Sequence, residues 1–159
     1  MAERSALRIL VVDDDPAMVR LAAAALTAHG FTDLEHVATG RDALLAAARA
    51  DVLLLDQNLP DLAGREVLLA LRAWPEPPSV VMVTAHGSET FAADALRAGA
   101  EDYLVKDASL AAMLPEVVER VRRMRSLREA LATAERELLH VERRADDGAM
   151  TVTLNDEIN

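Results

Sequence analysis

The sequence predicts an α/β fold: a doubly wound, five-stranded parallel sheet of the (βα)5 kind, in strand order 2-1-3-4-5, with an extended C-terminal helix. Three observations carry this. Short apolar runs rich in β-branched residues recur along the first hundred or so residues, and segments of helical spacing separate them. After about Ala108 the composition changes to a dense mixture of Arg, Glu, Ala and Leu, all strong helix formers.

The first run, Arg8–Asp13 (RILVVD), ends abruptly in acids. Pro16–His29 follows with helical spacing and is closed by Gly30; proline at the start and glycine past the end is the usual asymmetry of helix termini. Asp33–Thr39 (DLEHVAT) alternates like an edge strand, and Gly40–Arg49 reads as a helix with Thr39 as its cap. Asp51–Asp56 (DVLLLD) repeats the shape of the first run. Gly64–Trp74 is helical and stops at Pro75. Ser79–Thr84 (SVVMVT) is the fourth strand, Ser88–Ala98 a helix closed by Gly99, and Glu101–Lys106 (EDYLVK) the fifth strand. Continuous apolar strands alternating with helices mean a parallel sheet covered on both faces.

From Ser109 to Arg144 there is no glycine, and the one proline is Pro115. Positions spaced alternately by three and four read Leu110, Met113, Val117, Arg120, Met124, Leu127, Leu131, Ala134, Leu138, Val141 and Ala145, apolar throughout except Arg120. This is a heptad seam. Pro115 is expected either to open the long helix or to kink it. From there to Arg144 a helix is about 45 Å long at ~1.5 Å per residue, against a radius of gyration near ~14 Å for a globule of this size, so an overhang is expected. The expected organisation is a domain over 1–125, an extended last helix over 115–147, and a tail over 148–159.

Composition limits the function. The 159 residues carry 17 Lys plus Arg against 27 Asp plus Glu, a formal charge of −10 and a pI near 4.8, which argues against a nucleic-acid-coating surface. There is no cysteine, which removes disulfides, thiolate zinc sites and cysteine nucleophiles. The four histidines are scattered. No apolar run approaches the roughly 20 residues of a membrane span, and Met1–Arg8 is unlike a signal peptide. A soluble, cytoplasmic protein is expected, with neither nucleic acid nor membrane as partner.

In an open sheet of this order, strands one and three lie side by side at the switch point, and ligands gather beyond their carboxyl ends. The first strand ends in Asp13-Asp14-Asp15 and the third in Asp56, so carboxylates more than forty residues apart would converge there. The fourth strand ends in Thr84 and the fifth in Lys106, the single lysine of the chain. Crowded carboxylates raise one another's pKa unless a cation joins them, and Mg²⁺ favours such hard oxygen ligands. A carboxylate beside Mg²⁺ and lysine can act as a nucleophile toward phosphorus, with the ammonium and a hydroxyl neutralising phosphoryl oxygens. Each residue has an ordinary reading too. Asp15 reads as a helix cap, Asp56 could open an Asp–Asn turn, and Thr84 could be a core hydroxyl. Their joint placement at four strand ends favours a site.

The motifs ILVVDDDP (9–16), DVLLLDQNLPDLAG (51–64), VVMVTAHGS (80–88) and AGAEDYLVKD (98–107) resemble the receiver domain of two-component response regulators, the CheY-like family with a flavodoxin-like fold. The resemblance covers roughly residues 6–125. It implies that Asp56 is the phosphoacceptor, that Asp13, Asp14, Asp56 and the backbone carbonyl of Asn58 hold Mg²⁺, and that Thr84 and Lys106 contact the phosphoryl group. Tyr103 matches the family's aromatic switch, which turns inward when Thr84 is drawn to the phosphoryl group. The fourth helix, fifth strand and fifth helix (86–125) would respond. Asn58 and His86 flank the site. One departure is Asp107, where the family places a proline after a cis peptide; a cis bond before a non-proline residue costs ~3–4 kcal/mol. The tail ERRADDGAMTVTLNDEIN (142–159) resembles, over a shorter stretch, the start of the dimerisation and phosphotransfer helix of sensor histidine kinases. Asp156 stands there in the place of the phospho-accepting histidine, and no ATP-binding domain is expected to follow.

The expected function is therefore that of a phosphorylation-controlled switch and not of an enzyme with its own catalytic domain. Its partners would be a sensor histidine kinase or phosphotransfer protein, with a homodimer or helical partner through 115–145. Alternatives are an Mg²⁺-dependent phosphatase or phosphotransferase of the haloacid dehalogenase kind, using Asp13-x-Asp15, and a scaffold whose pocket is never phosphorylated. In a parallel helix dimer the flanking positions set Arg123 against Arg128 and Glu137 against Glu142, which is unfavourable; antiparallel pairing would match Arg123 with Glu137.

Overall fold

The computed structural model describes residues 2–158, with side chains described for 2–146. The elements run α1 (Ala2–Ala6), β1 (Ile9–Val12), α2 (Pro16–Thr27), β2 (Leu34–Val37), α3 (Gly40–Ala46, continued by a 3-10 turn Ala47–Arg49), β3 (Val52–Leu55), α4 (Gly64–Arg72), β4 (Ser79–Thr84), α5 (Glu89–Arg97), β5 (Asp102–Val105) and α6 (Leu110–Ile158). The five strands form one sheet in the order β2-β1-β3-β4-β5, every pairing parallel.

Local chemistry sets the helix ends. Asp15 caps α2 by accepting from the Ala17 N–H, with Pro16 at the first helical position; Thr39 caps α3 through Asp42 and Ser88 caps α5 through Phe91. Gly30 (φ 88°) and Gly99 (φ 111°) follow α2 and α5 in the left-handed region, where only glycine sits without strain. Helix α4 has no side-chain cap of this kind; Glu66 instead reaches back to accept from the Ala63 N–H at 2.9 Å.

Strand residues divide between two cores by parity. Ile9, Val11, Val52, Leu54, Val81 and Val83 pack with Met18, Ala22 and Leu26 of α2 and with Leu114, Val118 and Val121 of α6. Leu10, Val12, Leu53, Leu55 and Met82 face the other way, onto Ala43 and Ala46 of α3, Val67 and Leu71 of α4 and Ala95 of α5. Period-two alternation through a two-sided sheet makes every strand position buried, and β1, β3 and β4 are buried along their whole length.

Two features depart from the sequence expectation. The short helix α1, unforeseen, is fastened to α6: Arg4 lies 3.2 Å from Glu119 and over the Phe31 ring at 5.6 Å, while Arg122 pairs with both Glu119 at 2.8 Å and Glu3 at 3.1 Å. The last helix begins at Leu110, five residues before Pro115, which lies buried inside it. The missing proline N–H leaves the carbonyl of Ala111 without its helical donor, and Ala111 is exposed, so water can serve it. Asp107 organises the start: its carboxylate accepts from the Ser109 N–H at 2.9 Å and from the Ser109 hydroxyl at 2.6 Å.

By internal packing the chain forms two units, Met1–Arg122 and Arg123–Asn159. The helix backbone continues through the tail to Ile158; the reading of Asp156 falls on a side chain outside the described residues. Among the described residues no helix is long and apolar enough to cross a membrane.

Leu53, fully buried at the centre of β3, tests the packing. Leu53→Ala should cost roughly 2–5 kcal/mol in chemical denaturation. A loss well under 1 kcal/mol would mean that the α3–α4 side of the sheet is not packed in this way.

Candidate functional site

The carboxyl edge of the sheet carries the predicted residues at or just beyond the strand ends. Asp13 follows β1 and Asp56 follows β3, and both are buried. The parallel register that pairs Val12 with Leu55 brings the two next residues side by side, and the Asp56 N–H donates to the Val12 carbonyl at 2.9 Å. Asp14 is exposed, yet Asp13, Asp14 and Asp56 each place a carboxylate oxygen within 4.8 Å of the others. Asp15 points its carboxylate elsewhere, to the N-terminus of α2, which leaves an Asp13-x-Asp15 pair without its second member.

Lys106, one residue past β5, enters between the acids. Its Nζ lies 2.7 Å from Asp13 Oδ2 and 3.5 Å from Asp56 Oδ2. Burial works to lower the Lys106 pKa, but the two carboxylates outweigh it and raise the value. Burial raises the Asp56 pKa, repulsion from Asp13 adds to this, and Lys106 and the Asn58 backbone N–H offset part of it. Thr84, the last residue of β4, is buried. Its hydroxyl accepts from the His86 N–H at 3.4 Å, and its carbonyl accepts from the Lys106 N–H at 2.8 Å. The Lys106–Asp107 peptide is trans, as is every peptide among the described residues.

The turn after β3 is held by backbone approach. The Gly64 N–H donates to the Gln57 carbonyl at 2.8 Å, and a Cβ at Gly64 would stand 2.3 Å from the Asp56 carbonyl oxygen. No side chain fits there. Asn58 bridges to Ala63 across the same turn.

Beside the acids, a cavity of about 330 Å³ is lined by Asn58, Met82, Thr84, His86, Phe91 and Tyr103 among others. Tyr103 is half-buried, its hydroxyl donates to the His86 carbonyl at 3.0 Å, and burial raises its pKa. The structure therefore brings Asp13, Asp14, Asp56 and Lys106 together directly, with Thr84 and Tyr103 on the adjoining wall.

Three supporting contacts escaped the sequence. His36 Nε2 sits 2.9 Å from the Asp13 carbonyl oxygen. Asp61 accepts from the N–H groups of Gly40 and Arg41 at 2.8 and 3.0 Å, tying the β3 loop to the start of α3, and these bonds hold its pKa below the usual range. Arg65 pairs with Asp94 at 2.7 Å, joining α4 to α5 at the cavity. Nothing in the spacing of the sequence pairs Asp61 with the start of α3.

Residues 9–118 match the response regulator receiver domain family. The transcriptional regulatory protein KdpE of Mycobacterium tuberculosis is 38% identical over 117 residues, 72% of this chain and 51% of its own length; this chain thus spans about half of that relative. Among solved structures, the signal receiver domain of a LuxO repressor protein from Vibrio parahaemolyticus superposes with a TM-score of 0.73 at 31% identity, covering 79% of this chain and 96% of that one. The CheY chain of a CheX–CheY–BeF3–Mg²⁺ complex from Borrelia burgdorferi gives 0.67 at 26% identity, covering 72% and 88%.

The raised pKa of Asp56 has a measurable consequence. Its carboxylate ionises less readily folded than unfolded, so the charge costs stability. That cost is absent below the ordinary carboxylate range, grows as pH rises through that range and the raised folded value, and is full above it. Without divalent ions, Asp56→Asn should raise the thermal midpoint at neutral pH by roughly 2–4 °C per kcal/mol relieved. The gain should shrink toward zero as the medium is acidified; a lower midpoint at neutral pH would contradict the arrangement.

Proposed function

The chain belongs to the response regulator receiver family, and on that premise we propose that Asp56 accepts a phosphoryl group from the phosphohistidine of a sensor histidine kinase or phosphotransfer protein. The observation that supports this reading is the single cluster in which Asp13, Asp14 and Asp56 meet the ammonium of Lys106. An Asp56 oxygen forms the new bond to phosphorus while the phosphorus–nitrogen bond to the donor imidazole breaks, and that ring leaves with the electron pair and takes up a proton. The product is an acyl phosphate on Asp56.

Three carboxylate oxygens within 4.8 Å are hard donors that fit Mg²⁺, and the donor set assigned here is Asp13, Asp14, Asp56 and the Asn58 backbone carbonyl. When bound, Mg²⁺ supplies positive charge against the phosphoryl oxygens. The other work falls to this chain's residues. Lys106 already bridges Asp13 and Asp56, so a short swing of its stem carries the ammonium to a phosphoryl oxygen. The Thr84 hydroxyl donates to another, which draws it away from the His86 N–H. Tyr103, bonded to the His86 carbonyl across the cavity, follows that rearrangement and couples it to the α5–β5–α6 face. The domain acts in this reading as a phosphoacceptor that assists its own phosphorylation and dephosphorylation, in the cytoplasm. Its output is a change in protein contacts through that face and through the long helix, with a second copy or another helix as partner.

With Mg²⁺ and a small acyl phosphate as donor, intact mass should show one added phosphoryl group on the wild type. Asp56→Asn should abolish it, Asp15→Asn should keep it, and Lys106→Ala should slow it on the order of 10²-fold. Labelling that survives Asp56→Asn, or is lost with Asp15→Asn, would overturn the assignment of Asp56.

A further inference from the structure

Within the unit Arg123–Asn159, α6 leaves a continuous apolar stripe in solvent. Leu127 is 68% exposed, Leu131 61%, Leu138 60% and Val141 60%, and all lie on the three-and-four spacing that begins at Met124 and passes through Ala134. Contiguous exposed apolar surface of this kind marks an interaction site, and its spacing fits a helix of the same repeat.

The charges beside the stripe choose the partner and its direction. Flanking positions on the N-terminal side carry Arg123 and Arg128; those on the C-terminal side carry Glu135, Glu137 and Glu142. In a parallel pair each arginine would meet an arginine and Glu137 would meet Glu142, like against like. Reversing one helix lays the basic half of each on the acidic half of the other. One antiparallel register closes the apolar set on itself: Met124 meets Val141, Leu127 meets Leu138, and Leu131 meets Ala134. In that register Arg123 faces Glu137 of the second copy, and Arg128 lies between its Glu135 and Glu142. One like-charged contact remains, Glu135 with its own counterpart at the midpoint.

We propose that this stretch of α6 pairs with the same stretch of a second copy of the chain, running antiparallel in the Leu127–Leu138 register. The proposal deepens the output half of the function given above, since it names the partner of the long helix.

The absence of cysteine makes the test direct, because each introduced thiol is the single one present. Full-length Leu127→Cys and Leu138→Cys chains are oxidised separately and as a mixture, then run on non-reducing gels. A covalent dimer in the mixture alone, at least tenfold over either variant by itself, is the expected result. Ready cross-linking of either variant alone would establish a parallel pair, and no cross-link in the mixture would remove the register; both overturn the proposal. Sedimentation of the unsubstituted chain at high micromolar concentration should show a dimer that Leu131→Asp converts to monomer. A monomeric wild type, or a Leu131→Asp dimer, overturns it as well. Phosphoryl uptake by Asp56 is measured on the same preparations, so loss of pairing with labelling intact removes only this inference, and the reverse removes only the phosphoacceptor reading.

Discussion

The site depends on the ammonium of Lys106 lying between two buried carboxylates. Asp13 and Asp56 are nearly shut off from water, and burial together with repulsion from Asp13 raises the Asp56 pKa. Lys106, at 2.7 and 3.5 Å from them, reduces that conflict without abolishing it, since Asp56 still holds its proton more tightly than a free carboxylate. At Lys106 the attraction outweighs the desolvation, while at Asp56 the desolvation wins. What such an arrangement supplies is a cluster poised to take in more positive charge, or a group whose own charge suits Lys106.

The rest of the domain keeps these residues in place. Adjacent strands in register bring Asp13 and Asp56 level, the backbone approach at Gly64 fixes the turn behind Asp56, and Asp61 ties that turn to α3. Two layers of helices cover a sheet whose strands β1 and β3 are apolar and buried throughout, and close packing of this kind makes the platform rigid, so the polar edge can be crowded without the sheet yielding. The burden falls on aliphatic packing, since only 3% of the residues are aromatic.

Much of this was legible in the sequence because it rests on local signals. Apolar runs ending in Asp13, Asp56, Thr84 and Lys106, with Pro16, Gly30 and Gly99 marking helix ends, delimit the elements, and the doubly wound topology that the alternation suggests supplies the strand order. The order then brings distant acids together through a rule of topology. What escaped depends on long-range partners. Helix α1 is five residues long, too short to announce itself by periodicity, and it is held by Arg4, Glu119 and Arg122 from opposite ends of the chain. The Arg65–Asp94 pair spans two helices whose facing sides no spacing reveals. Of the two readings of Pro115, as the first residue of the helix or a residue within it, the structure takes the second, because Asp107 and Ser109 had already built the first turn before it.

Asp107 shows how a departure from the family's pattern can be put to use. The family resemblance places proline after the lysine, and proline would fix the backbone there without supplying an acceptor. Aspartate does the opposite. It leaves the peptide trans and spends its carboxylate on Ser109, so the residue after Lys106 becomes the foundation of α6. Three further ties bind the same region: the Lys106 N–H to the Thr84 carbonyl, the Asp102–Arg120 ion pair between β5 and α6, and the Tyr103 hydroxyl to the His86 carbonyl. Lys106 and the Ser109 that caps the start of α6 thus share one short segment, tied back to β4 by the Lys106 N–H. A helix begun by a polar clasp beside the charged cluster is easier to perturb than one begun in the apolar core, and α6 has both origins: Asp107 and Ser109 at its tip, Leu110 and Leu114 buried just behind. The polar clasp thus ties the first turn of α6 to the end of β5, while the buried residues behind it anchor the same turn in the core.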